Sequence, residues 1–229
     1  MRLGLFVLTV ALIAALATGC TRSTGGHAKA NPAHAGKTIV TTDIDAIVVA
    51  PQQLVDIVGA PIRPRLDQKR PVGGGPAGPC AALGVVGTDA FVGGNYAALR
   101  VIALSDDAAD QHRHVVAQSV AVYADGQTAA KQFGAATANL DACNGRRVND
   151  QAYWKFGIDG LTPDGVRWNK TETDVPWQWV CAGDGRVRSN VVVEAMVCQS
   201  DPTSAQNAQT IVDRMSAVVW DLSSPNRSR

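Results

Sequence analysis

From Thr41 to Trp220 the apolar residues recur in two rhythms, one helical and one alternating, and their succession predicts the elements. After an apolar lead-in at residues 45–49, Pro51 suits a first helical position. Leu54, Val55 and Val58 share one side of that helix, and Gly59 ends it. The next stretch, PIRPRLDQKRPVGGGPAGPC, carries neither rhythm and reads as a long surface loop. Residues 97–104 and 114–123 read as strands. The second is apolar on both sides apart from Gln118 and Ser119, which places it centrally in a sheet. Asp125 caps a helix over residues 127–142, with Ala129, Phe133, Ala136 and Leu140 as its apolar stripe, and Asn144-Gly145 stops it. Residues 153–158, 166–173 and 176–181 read as strands parted by Asp159-Gly160 and Pro163-Asp164-Gly165. In the strongest strand, 190–198, Val191, Val193, Ala195 and Val197 face one way; Asn190, Val192, Glu194 and Met196 face the other. A last helix starts at Asp201-Pro202 and buries Ala205, Ala208, Val212, Met215 and Val219. The sum is an α+β domain, a largely antiparallel sheet packed with helices, spanning residues 41–222 and followed by a polar tail, 223–229.

The N-terminus changes the picture. Met1-Arg2, an apolar run over residues 3–16 and then Ala17-Thr18-Gly19-Cys20 describe a secretory signal peptide over residues 1–19. The run is shorter than the ~20 residues that cross a bilayer. Ala-Thr-Gly-Cys resembles a bacterial lipobox, with Ala17 where Leu is usual, so Cys20 is expected to be acylated and to anchor the chain to the cell membrane, on its extracytoplasmic face. The small and polar segment behind it, through residue 40, reads as a flexible tether whose His27 and His34 are solvated. Loss of Arg2 with the signal peptide takes 21 basic residues to 20, against 20 acidic ones, and this balance argues against nucleic acid as a partner.

Chemistry is sparse. Gly73, Gly75 and Gly78 spell G-x-G-x-x-G, but interleaved prolines and the missing strand–helix context rule out a dinucleotide loop. Arg63, Arg65, Lys69 and Arg70 read as a solvated basic loop, with anionic headgroups or wall polymer as the alternative contact. His112 and His114 share a strand face without a third ligand, so no metal and no cofactor is expected. Trp154, Trp168, Trp177 and Trp179 cluster in sequence. Such a cluster lines a carbohydrate or lipid groove, or packs the core. Glu194 reads as an exposed or ion-paired sheet residue rather than a buried, perturbed acid. Trp168, Trp177, Trp179, Asn190 and Glu194 are the candidate ligand contacts, and no residue is expected to be catalytic.

Outside the cytoplasm the remaining four cysteines are expected to form disulfides, with three connectivities open. The pairing preferred is Cys181–Cys198, closing a hairpin that turns at Asp184-Gly185, with Cys80–Cys143. Loop entropy gives these roughly 3 and roughly 4 kcal/mol.

Trp179-x-Cys181, the run Ser189-Asn190-Val191-Val192-Val193-Glu194 and Cys198 resemble the end of the PknH-like extracellular (sensor) domain family. This is the outer module of a mycobacterial receptor kinase and is also found alone in mycobacterial Lpp/Lpq lipoproteins. Val116-x-Gln118-x-Val120, Tyr123, Cys143 and Cys80 extend the resemblance; Leu140 stands where the pattern has Trp. The resemblance implies an α+β domain with two disulfides, a cleft for an extracellular signal molecule and no enzyme activity. The leading expectation is a lipid-anchored envelope lipoprotein with a non-catalytic, ligand-binding sensor-like domain. Its ligand would be a small molecule, lipid or wall component, and a receptor kinase of the same family is a candidate partner. The alternatives are an interaction or scaffolding lipoprotein and, more remotely, an envelope hydrolase.

Overall fold

Among the described residues eight strands form one antiparallel sheet: β1 (Arg63–Gln68), β2 (Ala98–Ser105), β3 (His114–Val122), β4 (Arg147–Asp150), β5 (Ala152–Thr162), β6 (Gly165–Glu172), β7 (Val180–Arg188) and β8 (Val191–Gln199). Their order is β1-β2-β3-β8-β7-β6-β5-β4. The computed structural model describes residues 37–106, 113–150, 152–173 and 179–224, with the backbone alone at 149, 150 and 152. The expected signal peptide, Cys20, His27, His34, His112, Trp177 and residues 225–229 lie outside the described residues.

Helices cover both faces. On one side α1 (Ile44–Ile47), α2 (Pro51–Val58) and α6 (Ser204–Ser223) enclose a core with Leu104, Val116, Val120, Val193 and Val197. On the other, α3 (Ala81–Gly84), α4 (Asp89–Val92) and α5 (Gly126–Thr137) pack Phe91, Phe133, Tyr123 and Trp168. An antiparallel sheet usually leaves one face wet. Here β8 is covered twice and every one of its residues is buried, which explains its near-continuous apolar run. The valine face of residues 191–197 packs on the α6 side as the alternation predicts, but the opposite face is sealed as well.

Four expectations are corrected. The Pro- and Arg-rich stretch contains edge strand β1, whose register shifts between Pro64 and Leu66. Proline is tolerated there because an edge strand has a row of unpaired backbone groups. Asp159-Gly160 is not a turn but the site of a register shift inside β5, a bulge that lets the strand run on to Thr162. The β7–β8 hairpin turns at Ser189-Asn190, five residues beyond Asp184; Ser189 takes the left-handed φ of 53°. Finally α6 starts at Ser204, because Asp201 accepts from the Thr203 amide and hydroxyl before the helix begins; Ile211 is buried in its stripe and Ala205 is exposed. Edge strand β4 carried no recognisable rhythm in the sequence.

Two buried side-chain amides fix the N-terminal segment to the sheet. Gln118 donates to the Val49 carbonyl (2.8 Å) and accepts from its amide (3.0 Å). Asn190 treats Ile39 the same way, both at 2.9 Å, and also donates to the Tyr123 carbonyl at 2.7 Å. Each amide substitutes for a strand neighbour, satisfying a peptide group that has no ladder partner. The packed chain therefore reaches back to Lys37, ahead of Thr41. Asn190→Ala strands buried groups on Ile39 and Tyr123. It is expected to cost about 2–4 kcal/mol in denaturant unfolding and to speed exchange of the Ile39 amide.

Candidate functional site

The segment from Val72 to Val92 lies over the sheet, and its attachments define the site. Val72 pairs with Thr88, and the Val72 amide donates to the Gly87 carbonyl at 2.9 Å. Gly87 sits so near the sheet that a Cβ would fall 3.3 Å from Ser119 and closer still to Val101. Its amide donates to Glu194 Oε2 at 2.8 Å, and the Ser119 hydroxyl reaches the same oxygen at 3.2 Å. Two further side chains receive the end of α3: Trp168 Nε1 donates to the Leu83 carbonyl (3.1 Å) and Lys170 Nζ to the Gly84 carbonyl (2.5 Å). These are orphan carbonyls of a helix terminus, which cations and N–H donors satisfy well. Cys80–Cys143 ties the segment to the turn after α5. Cys181–Cys198 joins directly opposed residues of β7 and β8. Both disulfides pair as expected.

Glu194 is wholly buried, contrary to the exposed or ion-paired reading. Burial pushes its carboxyl up to about 8, and the hydrogen bonds from Gly87 and Ser119 only partly oppose this. At neutral pH it is a neutral acid holding the covering segment. Asp184, next in the chain to Glu194's partner Gly185 and so on the opposite sheet face, is also raised by burial, against the pull of Arg186 at 2.7 Å. The sheet separates the two carboxyls, so they do not form an acid–base pair.

Where the covering segment meets β4–β6 there is a cleft of about 180 Å³ lined by Pro76, Gly84, Val85, Val148, Trp154, Phe156 and Lys170. Its lining side chains are apolar except for Lys170, 8% exposed, whose ammonium lies 4.5 Å from the centre of the Trp154 ring. A cation on an indole face is held electrostatically as well as by its hydrogen bond. A second, polar concavity of about 270 Å³ lies between the β5–β6 turn and α6. There Arg186 bridges Asp184 and Asp213 while Arg188 holds Asp164, so both of these arginines are paired.

The four candidate contacts among the described residues do not converge. Trp168 is a core residue, 1% exposed, and Asn190 is the peptide clamp described above. Trp179 is half-buried against Cys181–Cys198, at the far end of the β7–β8 hairpin from Asn190, a nine-residue strand or roughly 30 Å away. Trp177 lies outside the described residues. Trp154 and Lys170, not singled out as contacts from the sequence, are the pair that faces a cleft; a lysine amid strand-rhythm tryptophans was the available signal. Among the described residues no cluster of three or more His, Cys, Asp or Glu is placed for a metal, and His114 pairs with Asp106 at 3.1 Å. No helix among the described residues is long and apolar enough to cross a membrane.

No curated protein matches this chain. Among solved structures it is similar to the extracellular domain of PknH from Mycobacterium tuberculosis, with 18% identity and a TM-score of 0.71, over 81% of this chain and 99% of that one. At that identity the likeness speaks to the fold. The family described as PknH-like extracellular domain matches residues 39–217, from the Ile39 clamp into α6 and across both disulfides, and the chain belongs to that family.

Proposed function

We propose that this protein is a lipid-anchored lipoprotein of the cell envelope, held at Cys20, whose PknH-like domain binds a small extracytoplasmic ligand without transforming it. The observation that carries the binding reading is the Trp154–Lys170 cleft, a hollow lined by apolar side chains with Lys170 at its wall. That lining suits a small, largely apolar molecule packed against Trp154, Phe156 and Val148. The volume is below the ~300 Å³ usual for a drug-sized ligand, which limits the guest to a small molecule or the end of a lipid or wall polymer. A sensor-like role beside a receptor kinase of the same family fits this reading.

Native mass spectrometry after exposure to envelope extract tests it. The wild-type protein is expected to carry a mass adduct that Val148→Phe, filling the cleft from β4, excludes. A ligand-free spectrum and no thermal shift across lipids and glycans would overturn binding and leave an interaction or scaffolding lipoprotein. Intact mass of the membrane-extracted protein tests the anchor, with acyl chains expected on Cys20.

A further inference from the structure

We infer that the corner of the domain carrying Trp220 is a membrane-contact surface, with the headgroup layer of the bilayer as its occupant. This rests on the Cys20 anchor. Trp220 is 65% exposed and Val40 50%, ahead of Tyr153 and Leu161 among the exposed large hydrophobics of the described residues. The segments that carry them meet at one corner. The Lys37 amide donates to the Ser223 carbonyl at 2.9 Å, and the Ser223 hydroxyl donates to the Trp220 carbonyl at 3.2 Å. Val40 follows Lys37 by three residues.

That corner is also where the chain arriving from Cys20 enters the domain. Residues 21–36 separate the anchor from Lys37, a reach of at most about 60 Å even if fully extended. A surface tied this close along the chain to a membrane anchor meets the bilayer at a high effective concentration, so a patch of low intrinsic affinity suffices. Tryptophan is the side chain that favours the headgroup level, where its ring is buried and its N–H stays hydrated. In the sequence around these residues, 36–45 and 220–229, Lys37, Arg227 and Arg229 stand against Asp43, Asp45 and Asp221, without a basic surplus. Insertion of the aromatic ring, rather than attraction to anionic lipid, therefore drives the contact. The neighbours Val219 and Ser223 turn into the core, so replacing Trp220 leaves the packing intact.

The test uses full-length protein purified from membranes and placed in phosphatidylcholine vesicles with brominated acyl chains, with and without phosphatidylglycerol. Tryptophan emission is expected to be quenched by the bromolipid to the same extent with either composition. Trp220→Ser is expected to lose most of that quenching while keeping the wild-type unfolding midpoint. Quenching unchanged in Trp220→Ser, on protein whose mass shows acylation, overturns this inference alone. A change in oligomeric state in place of lost quenching would assign the patch to a second copy and also overturn it. Trp220-dependent quenching of unacylated protein overturns only the anchor. Unacylated protein without quenching overturns both.

Discussion

Gly183→Val is expected to destabilise the domain by about 3 kcal/mol or more, near the upper end of overpacking costs, and to reduce the yield of folded protein. Gly183 opposes Trp168 across β6–β7, and a Cβ at 183 would lie inside contact distance of the indole ring. The ring has no room to retreat. Its Nε1 is held by the Leu83 carbonyl, and Phe91 lies 6.4 Å away between ring centres. Phe91 in turn occupies the space over Gly185, where a Cβ would be 2.7 Å from its Cζ. The two glycines form a trough in β7 that receives two aromatic side chains. The check is a double-mutant cycle in denaturant unfolding. Trp168→Leu costs a few kcal/mol alone, and in that background Gly183→Val adds little. Strictly additive costs would sink the trough.

The second large effect is on pH dependence. Glu194 has a folded-state value raised to about 8, above its ordinary 4.5. Between those values the native state binds more protons than the unfolded chain, so stability falls as pH rises. Its contribution is full below about pH 4.5, declines through neutrality and is gone above about pH 8, a total on the order of 5 kcal/mol. Glu194→Gln keeps an oxygen to accept from Gly87 and Ser119 but cannot ionise. It is expected to remove this slope and to be more stable than wild type at pH 9, with little gain at pH 4.5. Parallel stability profiles for the two proteins between pH 4.5 and 9 would contradict the assignment. Because Glu194 grips Gly87, alkaline loss should appear first as faster exchange of amides in the covering segment, which also forms one wall of the Trp154–Lys170 cleft.

Local rules carried much of the fold. Pro51 and Gly59 bracket α2, Asp125 accepts from the Thr128 amide at 2.7 Å to start α5, and the strand rhythms of residues 98–105 and 191–199 are real. Such features depend on chain neighbours and periodicity, so the sequence alone determines them. It also pointed to the family, through the Asn-Val-Val run and the cysteine spacing, and to the preferred one of three disulfide connectivities, which the structure then selected. The polar residues interrupting β3 were visible too, but their purpose was not: Gln118 and Ser119 serve partners 69 and 75 residues away.

Only the tertiary structure decided what the Asp-Gly pairs do. As dipeptides, 159–160 and 184–185 carry the same turn signal. In the sheet one becomes a bulge, and the other a flat stretch of strand made vacant for Phe91. The fate of Glu194 was decided the same way. Alternation placed it opposite the valines, and an antiparallel sheet normally leaves that side in water. The covering segment, pinned by Gly87, Trp168, Lys170 and Cys80–Cys143, buried it and at its edge created the cleft. Burial, and with it the acidity of a carboxyl and the shape of a pocket, comes from contacts between residues far apart in the chain, which periodicity does not encode.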